Sequence, residues 1–219
     1  MGMIKFKSPS LPIPHRMYDE GQQHQLNRSL RIYFEQLDSR TPIEHELFQG
    51  GLFNGQGTGL VMPYGSFYST QTQTAANTTT AYAVTLNNTD LSNWVTLSNG
   101  SRLNVAYDGI YNFQFSAQLS NDSNASIDIN MWLRKNGVNL ANTNSLFGLS
   151  ARKSPGDPYH VLAALNIFVS LAAGDYIELY WSTTSTSGTI IYVAPLVSPD
   201  RPATPSVIST LSFVSALST

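Results

Sequence analysis

Hydrophobic and polar residues alternate along much of the chain after residue 60. Within residues 111–119 every second residue is apolar, and the same alternation returns within residues 127–133. A period of two places successive side chains on opposite faces of a strand, so both segments are predicted strands with one face on a core. The side chains predicted to line the core of the domain are Tyr111, Phe113, Phe115 and Leu119.

Turn signals separate the alternating segments. Asn99-Gly100, Asn136-Gly137 and Ala173-Gly174-Asp175 are examples, and such pairs favour the tight connections of antiparallel hairpins. About ten candidate strands and no convincing helix fit the sequence after residue 60. This pattern predicts an all-β sandwich or barrel, and a double-sheet jelly roll matches the length.

Two tryptophans are candidates for contacts outside the core. Trp132 lies between the apolar Met131 and Leu133, so it points to the other face of its strand. It faces outward or toward a neighbouring subunit, and core, subunit-interface and ligand-stacking roles all stay open. Trp181 follows Leu179 in another β-rich segment and is the second candidate for a subunit interface.

A different period governs the N-terminal segment. Apolar residues recur there at intervals of four, three and four, the spacing of one helix face over about three turns. The proline-rich stretch 8–14 predicts an extended arm before this helix, and Thr41-Pro42 predicts its end. The stripe either packs on the body of the same chain or drives self-association or docking on a partner. Its members are Leu26, Leu30, Tyr33, Phe34 and Leu37.

Charge density changes where the period changes. Residues 1–50 carry six basic and six acidic side chains, whereas residues 51–219 carry six basic and eight acidic ones. The glycine-rich stretch 50–60 predicts a linker between an assembly segment, 1–49, and a β jelly-roll domain, 61–219. The net charge of -2 predicts no attraction to nucleic acid or to an anionic membrane.

Residues that usually carry catalysis or bind metals are sparse. The chain has no cysteine, and His160 is the single histidine after residue 50. No nucleophile motif, carboxylate pair or histidine cluster accompanies it. We therefore expect a non-enzymatic protein without a cofactor or a metal site, while a calcium ion on loop carboxylates stays open.

Four fragments occur in the order found in complement C1q-like and tumour-necrosis-factor-like jelly rolls. They resemble that family's Gly-x-Tyr-x-Phe strand, Lys-Asn-Gly hairpin, Leu-x-x-Gly-Asp segment and closing strand. The fragments are 108–115, 133–137, 171–179 and 211–214. The resemblance implies a C1q/TNF-like jelly-roll sandwich over residues 64–215, assembled as a homotrimer.

The segments 11–20 and 26–38 resemble the start of many tailed-phage virion proteins, in which a short helical head precedes a β-rich body. The two resemblances together imply a structural protein on the virion surface. The first expectation is a homotrimeric capsid decoration or cement protein that contacts the major capsid protein. The alternative is a tail fibre or tail-tip receptor-binding module, with tail proteins and a host-surface glycan as partners. A bacterial C1q-like lectin is a second alternative.

Overall fold

The apolar stripe near the N-terminus lies in one helix, α1 (Glu20–Gln49). A computed structural model of the protein describes residues 20–49 and 62–216, with side chains for 20–35 and 62–216. The chain divides into two compact units, Met1–Val61 and Met62–Thr219. The predicted extended arm and glycine linker lie outside the described residues.

Helix α1 begins at an acid and continues further than the sequence predicts. Glu20 lies in its first turn, where the helix dipole favours negative charge. One turn-to-turn pair supports it, since Arg31 Nε donates to Glu35 Oε1 over 2.8 Å. The prediction that Thr41-Pro42 ends the helix is wrong, because α1 continues to Gln49. A proline removes one backbone hydrogen bond, and the glutamates and leucine that follow it favour continued helix.

No described side chain of the predicted stripe on α1 is buried. Leu26, Leu30 and Tyr33 are partly exposed, and Phe34 is 57% exposed. The rings of Tyr33 and Phe34 meet edge to face at 5.9 Å. Leu37 lies outside the described side chains. Self-association or docking through this stripe therefore stays a prediction.

The described part of the second unit consists of strands and their connections. Its residues are rich in the β-branched and aromatic types that suit a pleated, half-buried surface. The strands are β1 (Tyr64–Ser69), β2 (Gln73–Thr74), β3 (Tyr82–Ala83), β4 (Asn88–Asn93), β5 (Val95–Ser98), β6 (Arg102–Val105), β7 (Gly109–Asn121), β8 (Ile127–Lys135), β9 (Val138–Asn139), β10 (Ser145–Leu149), β11 (Tyr159–Leu171), β12 (Tyr176–Thr183), β13 (Gly188–Ile190), β14 (Leu196–Val197), β15 (Asp200–Arg201) and β16 (Val207–Ser215).

These strands form two antiparallel sheets that share one core. The first sheet has the order β4-β1-β16-β7-β11, and β13 pairs with the end of β7 and with β2. The second sheet has the order β10-β8-β12-β6-β5, with β9 on β8 and β3 on β12. The hairpin β14-β15 stands apart. The predicted all-β sandwich class is confirmed at this level.

The longest ladder joins β7 to β11. Its register runs from the pair Gly109–Leu171 to the pair Asn121–Tyr159 without a break. Strands β16 and β13 share the opposite side of β7. Among the described residues no strand pairs with the far side of β11, so β11 is the edge of the first sheet.

The inward faces of the two sheets meet in a single hydrophobic cluster. Tyr111, Phe113, Phe115 and Leu119 are all buried on the inward face of β7, which is the face their alternation predicts. Other strands contribute buried aliphatic side chains from both sheets. These include Ile127, Ile129, Met131, Leu133, Ile177, Leu179, Val207 and Leu211.

Trp181 belongs to this core and not to a subunit interface. It is 1% exposed, and its ring centroid lies 5.9 Å from that of Tyr82. Residues two apart on a strand share a face, so Trp181 points inward with Leu179. The prediction of an interface role is therefore wrong for Trp181.

Asn136 and Gly137 form the tight turn that the sequence predicts, between β8 and β9. Both residues have positive φ, 50° and 81°, as a type I′ hairpin turn requires. Asn136 Nδ2 donates to Asp175 Oδ1 over 2.6 Å, and its Oδ1 accepts from the Tyr176 amide over 3.0 Å. Lys135 Nζ lies 2.7 Å from Asp175 Oδ2. The turn and the loop before β12 are thus joined by a charge-assisted network.

Candidate functional site

The outward surface of β7, β11 and β16 lacks strongly charged side chains. We call it the uncharged face. None of its described members is Asp, Glu, Lys or Arg, the residue types most often found on protein surfaces. Its members, placed by the ladder registers, are Ile110, Asn112, Gln114, Ser116, Gln118, Ser120, His160, Leu162, Ala164, Asn166, Phe168, Ser170, Ile208, Thr210 and Ser212.

Large apolar side chains stand exposed on the uncharged face. Phe168 is 63% exposed, Leu162 57% and Ile208 40%. Phe168 and Leu162 lie on the edge strand β11, and Ile208 lies on β16. Exposed apolar groups on a surface depleted of charge are typical of a protein–protein contact.

One local feature of the uncharged face suits a docked surface. It is a hollow of about 170 Å³ between β7 and β16. The hollow is lined by Gln114, Phe115, Ser116, Ile208 and Thr210.

The outward surface of β6, β8 and β12 has the opposite character, and we call it the charged face. The Arg134 guanidinium lies over the Tyr180 ring, 3.9 Å from its centroid. Arg102 lies over Tyr176 in the same manner at 4.4 Å. Cations stacked on aromatic rings hold both partners in fixed orientations. The charged face is therefore a connected layer of side chains.

Glu178 is the buried member of the charged face. Ser101 Oγ donates to Glu178 Oε1 over 2.6 Å, and Arg102 Nε lies 3.6 Å from the same oxygen. Arg134 stands opposite Glu178 in the β8–β12 register. A carboxylate enclosed in this way is compensated by hydrogen bonding and charge. We assign it a structural role.

Asp175 is the carboxylate whose acidity the fold changes most visibly. Burial by itself raises its pKa, but hydrogen bonds from Lys135, Asn136 and the Ala172 amide outweigh that effect and hold the pKa at about 2. The group therefore remains ionised at any ordinary pH. It serves as an anchor for the β8–β9 turn rather than as a proton donor.

A recess of about 770 Å³ opens beside the charged face, between the second sheet and the connection from β9 to β10. We call it the Trp132 recess. Its volume falls in the range of roughly 300–1,000 Å³ typical of small-molecule sites. Its lining combines one large aromatic ring with many amides. The lining residues are Asn130, Trp132, Asn139, Leu140, Ala141, Asn142, Asn144 and Ser182.

Trp132 is held rigidly at the recess. It is partly exposed on the outward side of β8, as its position between two inward residues requires. Its Nε1 donates to Asn139 Oδ1 over 2.8 Å, and Arg134 Nε donates to the same oxygen over 2.7 Å. The Trp132 and Tyr180 ring centroids lie 6.1 Å apart. Neighbours on two sides thus fix the indole plane.

The asparagines of the recess were not among the predicted site residues. Asn144 Nδ2 donates to Asn130 Oδ1 over 3.0 Å, which joins the loop to β8. Asn142 has a φ of 63°, a conformation that asparagine tolerates better than most residues. The density of asparagine within residues 130–144 is visible in the sequence and is the signal that could have indicated this site.

The described residues show no cluster of metal-ligating side chains around His160. His160 is exposed on the uncharged face, opposite Ser120 in the β7–β11 register. Among the described residues no group of three His, Cys, Asp or Glu side chains could hold a metal ion. Within the same part of the chain, no helix has both the length and the apolar character needed to cross a membrane.

No protein-family model matches the chain, and no curated protein matches it significantly.

Proposed function

We propose that this chain is a non-enzymatic structural protein of a tailed-phage virion whose sandwich units form a homotrimer through the uncharged face. The observation that carries the proposal is that face itself. It exposes Phe168, Leu162 and Ile208, and none of its described members is Asp, Glu, Lys or Arg. Burial of such a surface against a partner is favourable.

The occupants of the uncharged face are other copies of the same chain. Leu162 and Phe168 lie on the edge strand β11, whereas the hollow lies between β7 and β16. The edge of one copy therefore seats in the hollow of the next. A head-to-tail contact between different patches closes into a ring when the rotation permits it. The resemblance to C1q-like proteins sets the ring at three copies.

The strand order supports a C1q/TNF-like jelly roll within the sandwich class. The consecutive long strands β7 and β8 lie in different sheets, and so do β11 and β12. Strand β16, near the C-terminus, lies between β1 and β7. Such crossings between sheets are typical of double Greek keys.

Helix α1 and the segments around it supply the virion contact in this proposal. The support is the resemblance of residues 11–20 and 26–38 to the heads of tailed-phage virion proteins. The exposure of Phe34 and Ile32 on the helix, 57% and 45%, leaves apolar surface for the major capsid protein or a tail protein.

The non-enzymatic part of the proposal is supported by the state of the carboxylates. General acid–base catalysis needs a group that can exchange a proton with a substrate near the working pH. Asp175 is held ionised by Lys135 and Asn136, and Glu178 is enclosed by Ser101 and Arg102. Both are committed to structural contacts.

Light scattering of the purified full chain tests the assembly. We expect about three times the chain mass of 24.0 kDa. Phe168→Glu places a charge on the uncharged face and should yield monomers, because an unpaired charge in an interface is strongly unfavourable. Val138→Glu is the matched control, since Val138 is 70% exposed on β9 of the other sheet. A monomeric wild-type chain at micromolar concentration would contradict the proposal.

Cryo-electron microscopy of purified virions tests the location. Density on the capsid lattice, with capsids that break more readily when the protein is absent, is expected for a decoration protein. Density at the tail, with loss of adsorption to the host, is expected for the receptor-binding alternative. The Trp132 recess favours keeping this second candidate, because a decoration protein has no need of a ligand site.

A further inference from the structure

We propose that the Trp132 recess binds a neutral oligosaccharide. The recess is formed within one sandwich unit, so the proposal goes beyond the assembly function and does not depend on it. A sugar presents an apolar face of C–H groups and a rim of hydroxyls. A suitable site therefore offers a flat ring surrounded by side chains that both donate and accept hydrogen bonds.

The aromatic part of the site is organised before any ligand arrives. Asn139 Oδ1 accepts from Trp132 Nε1 and from Arg134 Nε, over 2.8 and 2.7 Å. Arg134 is itself stacked on Tyr180. The indole therefore has little freedom to lose when a sugar ring stacks on it. Fixed orientation of this kind increases affinity because the entropy loss precedes binding.

The polar part of the site uses amides and a hydroxyl. Asn130, Asn142, Asn144 and Ser182 surround the recess, and each offers both donor and acceptor atoms. Within the described chain, neither the Asn142 amide nor the Ser182 hydroxyl has a hydrogen bond to another side chain. Sugar hydroxyls, which both donate and accept, are the natural complement of these groups.

The same lining argues against other classes of ligand. No member of the lining is an Asp, Glu, Lys, Arg or His residue. Arg134 borders the recess, but its guanidinium is engaged by Asn139 and the Tyr180 ring, so the lining itself offers a phosphate or carboxylate no counter-charge. A purely apolar ligand would remove the amides from water without pairing them, which is unfavourable. Neutral, hydroxyl-rich and partly apolar compounds fit both constraints.

An array of neutral and acidic oligosaccharides, probed with the full-length protein, tests the proposal. Positive sugars are then titrated by tryptophan fluorescence and calorimetry. We expect binding to at least one neutral oligosaccharide, with affinity nearly unchanged between about 0.15 and 0.5 M NaCl because no ion pair forms. Binding confined to acidic sugars, or binding to none, would overturn the proposal.

Two variants locate the binding on the protein. Trp132→Ala removes the stacking surface and should weaken binding at least about tenfold. Asn142→Gly removes one amide while keeping the positive φ that glycine adopts freely, so it preserves the fold and should weaken binding severalfold. Wild-type affinity in both folded variants would overturn the proposal. If Trp132→Ala fails to fold, the Asn142→Gly titration decides alone.

Phe168→Glu separates this proposal from the assembly proposal. It changes the uncharged face, remote in the ladder order from β8 and β12. The variant should keep the single-site affinity of the wild type, measured by calorimetry with a soluble sugar, while its mass falls to that of a monomer. Sugar binding by a wild-type monomer would contradict the trimer and support the recess.

Discussion

The two outward faces of the sandwich present different kinds of side chain to solvent. The uncharged face leaves Phe168, Leu162 and Ile208 exposed among amides and hydroxyls. The charged face covers its aromatic rings with guanidinium groups, Arg134 over Tyr180 and Arg102 over Tyr176. Both faces lie on antiparallel strands with the same period and on opposite sides of the same core.

This contrast separates the positions that the shared core determines from those that it leaves open. The alternation of inward residues is the same on both sheets, because a single core must be filled. Only the outward positions differ between the two sheets. The absence of charge on the described face of β7, β11 and β16 is not required by the core, and it is the observation on which the proposed contact rests.

The largest expected effect on stability is that of a substitution in the hydrophobic core between the two sheets. Phe113→Ala removes a ring that is 1% exposed and should lower the free energy of unfolding by about 3–5 kcal/mol. Gln114→Ala, one residue along β7 and pointing outward, should change it by less than about 0.5 kcal/mol when the chain is monomeric. Urea unfolding of both variants in the Phe168→Glu background measures the difference. Equal losses would mean that the outward face is covered within a single chain.

The next largest expected effect is that of acid on the contacts between Asp175 and the β8–β9 turn. The folded pKa of Asp175, about 2, lies below the ordinary value. Its ionised contacts should therefore contribute about 2 kcal/mol above pH 4 and progressively less as the pH falls toward 2. Asp175→Asn should be less stable than wild type at pH 7 and equal to it near pH 2.

Asp157→Asn is the control for this pH series. Asp157 lies 3.8 Å from Lys153 and is 54% exposed, so water screens the pair. Unfolding curves at pH 7, 5, 3 and 2 should show little difference between this variant and the wild type. A constant deficit of Asp175→Asn at every pH would instead mean that the substitution acts through packing.

A smaller effect is expected from the stacking on the charged face. Arg134→Met keeps an unbranched side chain but removes the charge over Tyr180 and the bond to Asn139. Stability should fall by about 0.5–1 kcal/mol. Tryptophan emission should shift as well, since Arg134 and Trp132 share Asn139. Lys153→Met, at a side chain 66% exposed, should change neither quantity.

The smallest expected effect is that of salt on the trimer. Because the uncharged face contributes no Asp, Glu, Lys or Arg, its association should change less than about twofold between about 0.05 and 0.5 M NaCl at constant pH. Sedimentation equilibrium provides the measurement. A steep loss of trimer with salt would show that ion pairs elsewhere carry the assembly.

The fold was predictable where apolar and polar residues alternate strictly. Strands β7 and β8 were located by alternation alone, since each repeats its pattern several times. Strand β11 is as long as β7, but it was not located, because the outward Leu162, Ala164 and Phe168 interrupt its alternation. The pairs of residues in β2, β3, β9, β14 and β15 are too short for any period, and distant partners define them. The alternation of β12 also predicts the inward orientation of Trp181, because Leu179, two residues earlier, points to the same face.

The candidate site was predictable only in its centre. Trp132 was singled out because it is a large aromatic residue between the inward Met131 and Leu133, and its outward position follows from the alternation of β8. The surrounding asparagines come from β8, β9 and the loop before β10. Their convergence depends on how the hairpin folds back across the sheet, which spacing along the chain does not specify. The uncharged face could not be predicted from the sequence either, because its three strands are far apart along the chain and meet only through long-range pairing.

The edge strand β11 has a consequence for handling and evolution of the protein. Thirteen residues, about 40 Å of extended chain, present unpaired backbone groups, and the strand has no lysine, proline or bulge to discourage further pairing. An exposed edge of this kind is a predicted site of further strand pairing between chains. A substitution that weakens the proposed association without adding charge would leave this edge free to pair, whereas a charge on β11 itself, as in Phe168→Glu, would oppose both kinds of contact.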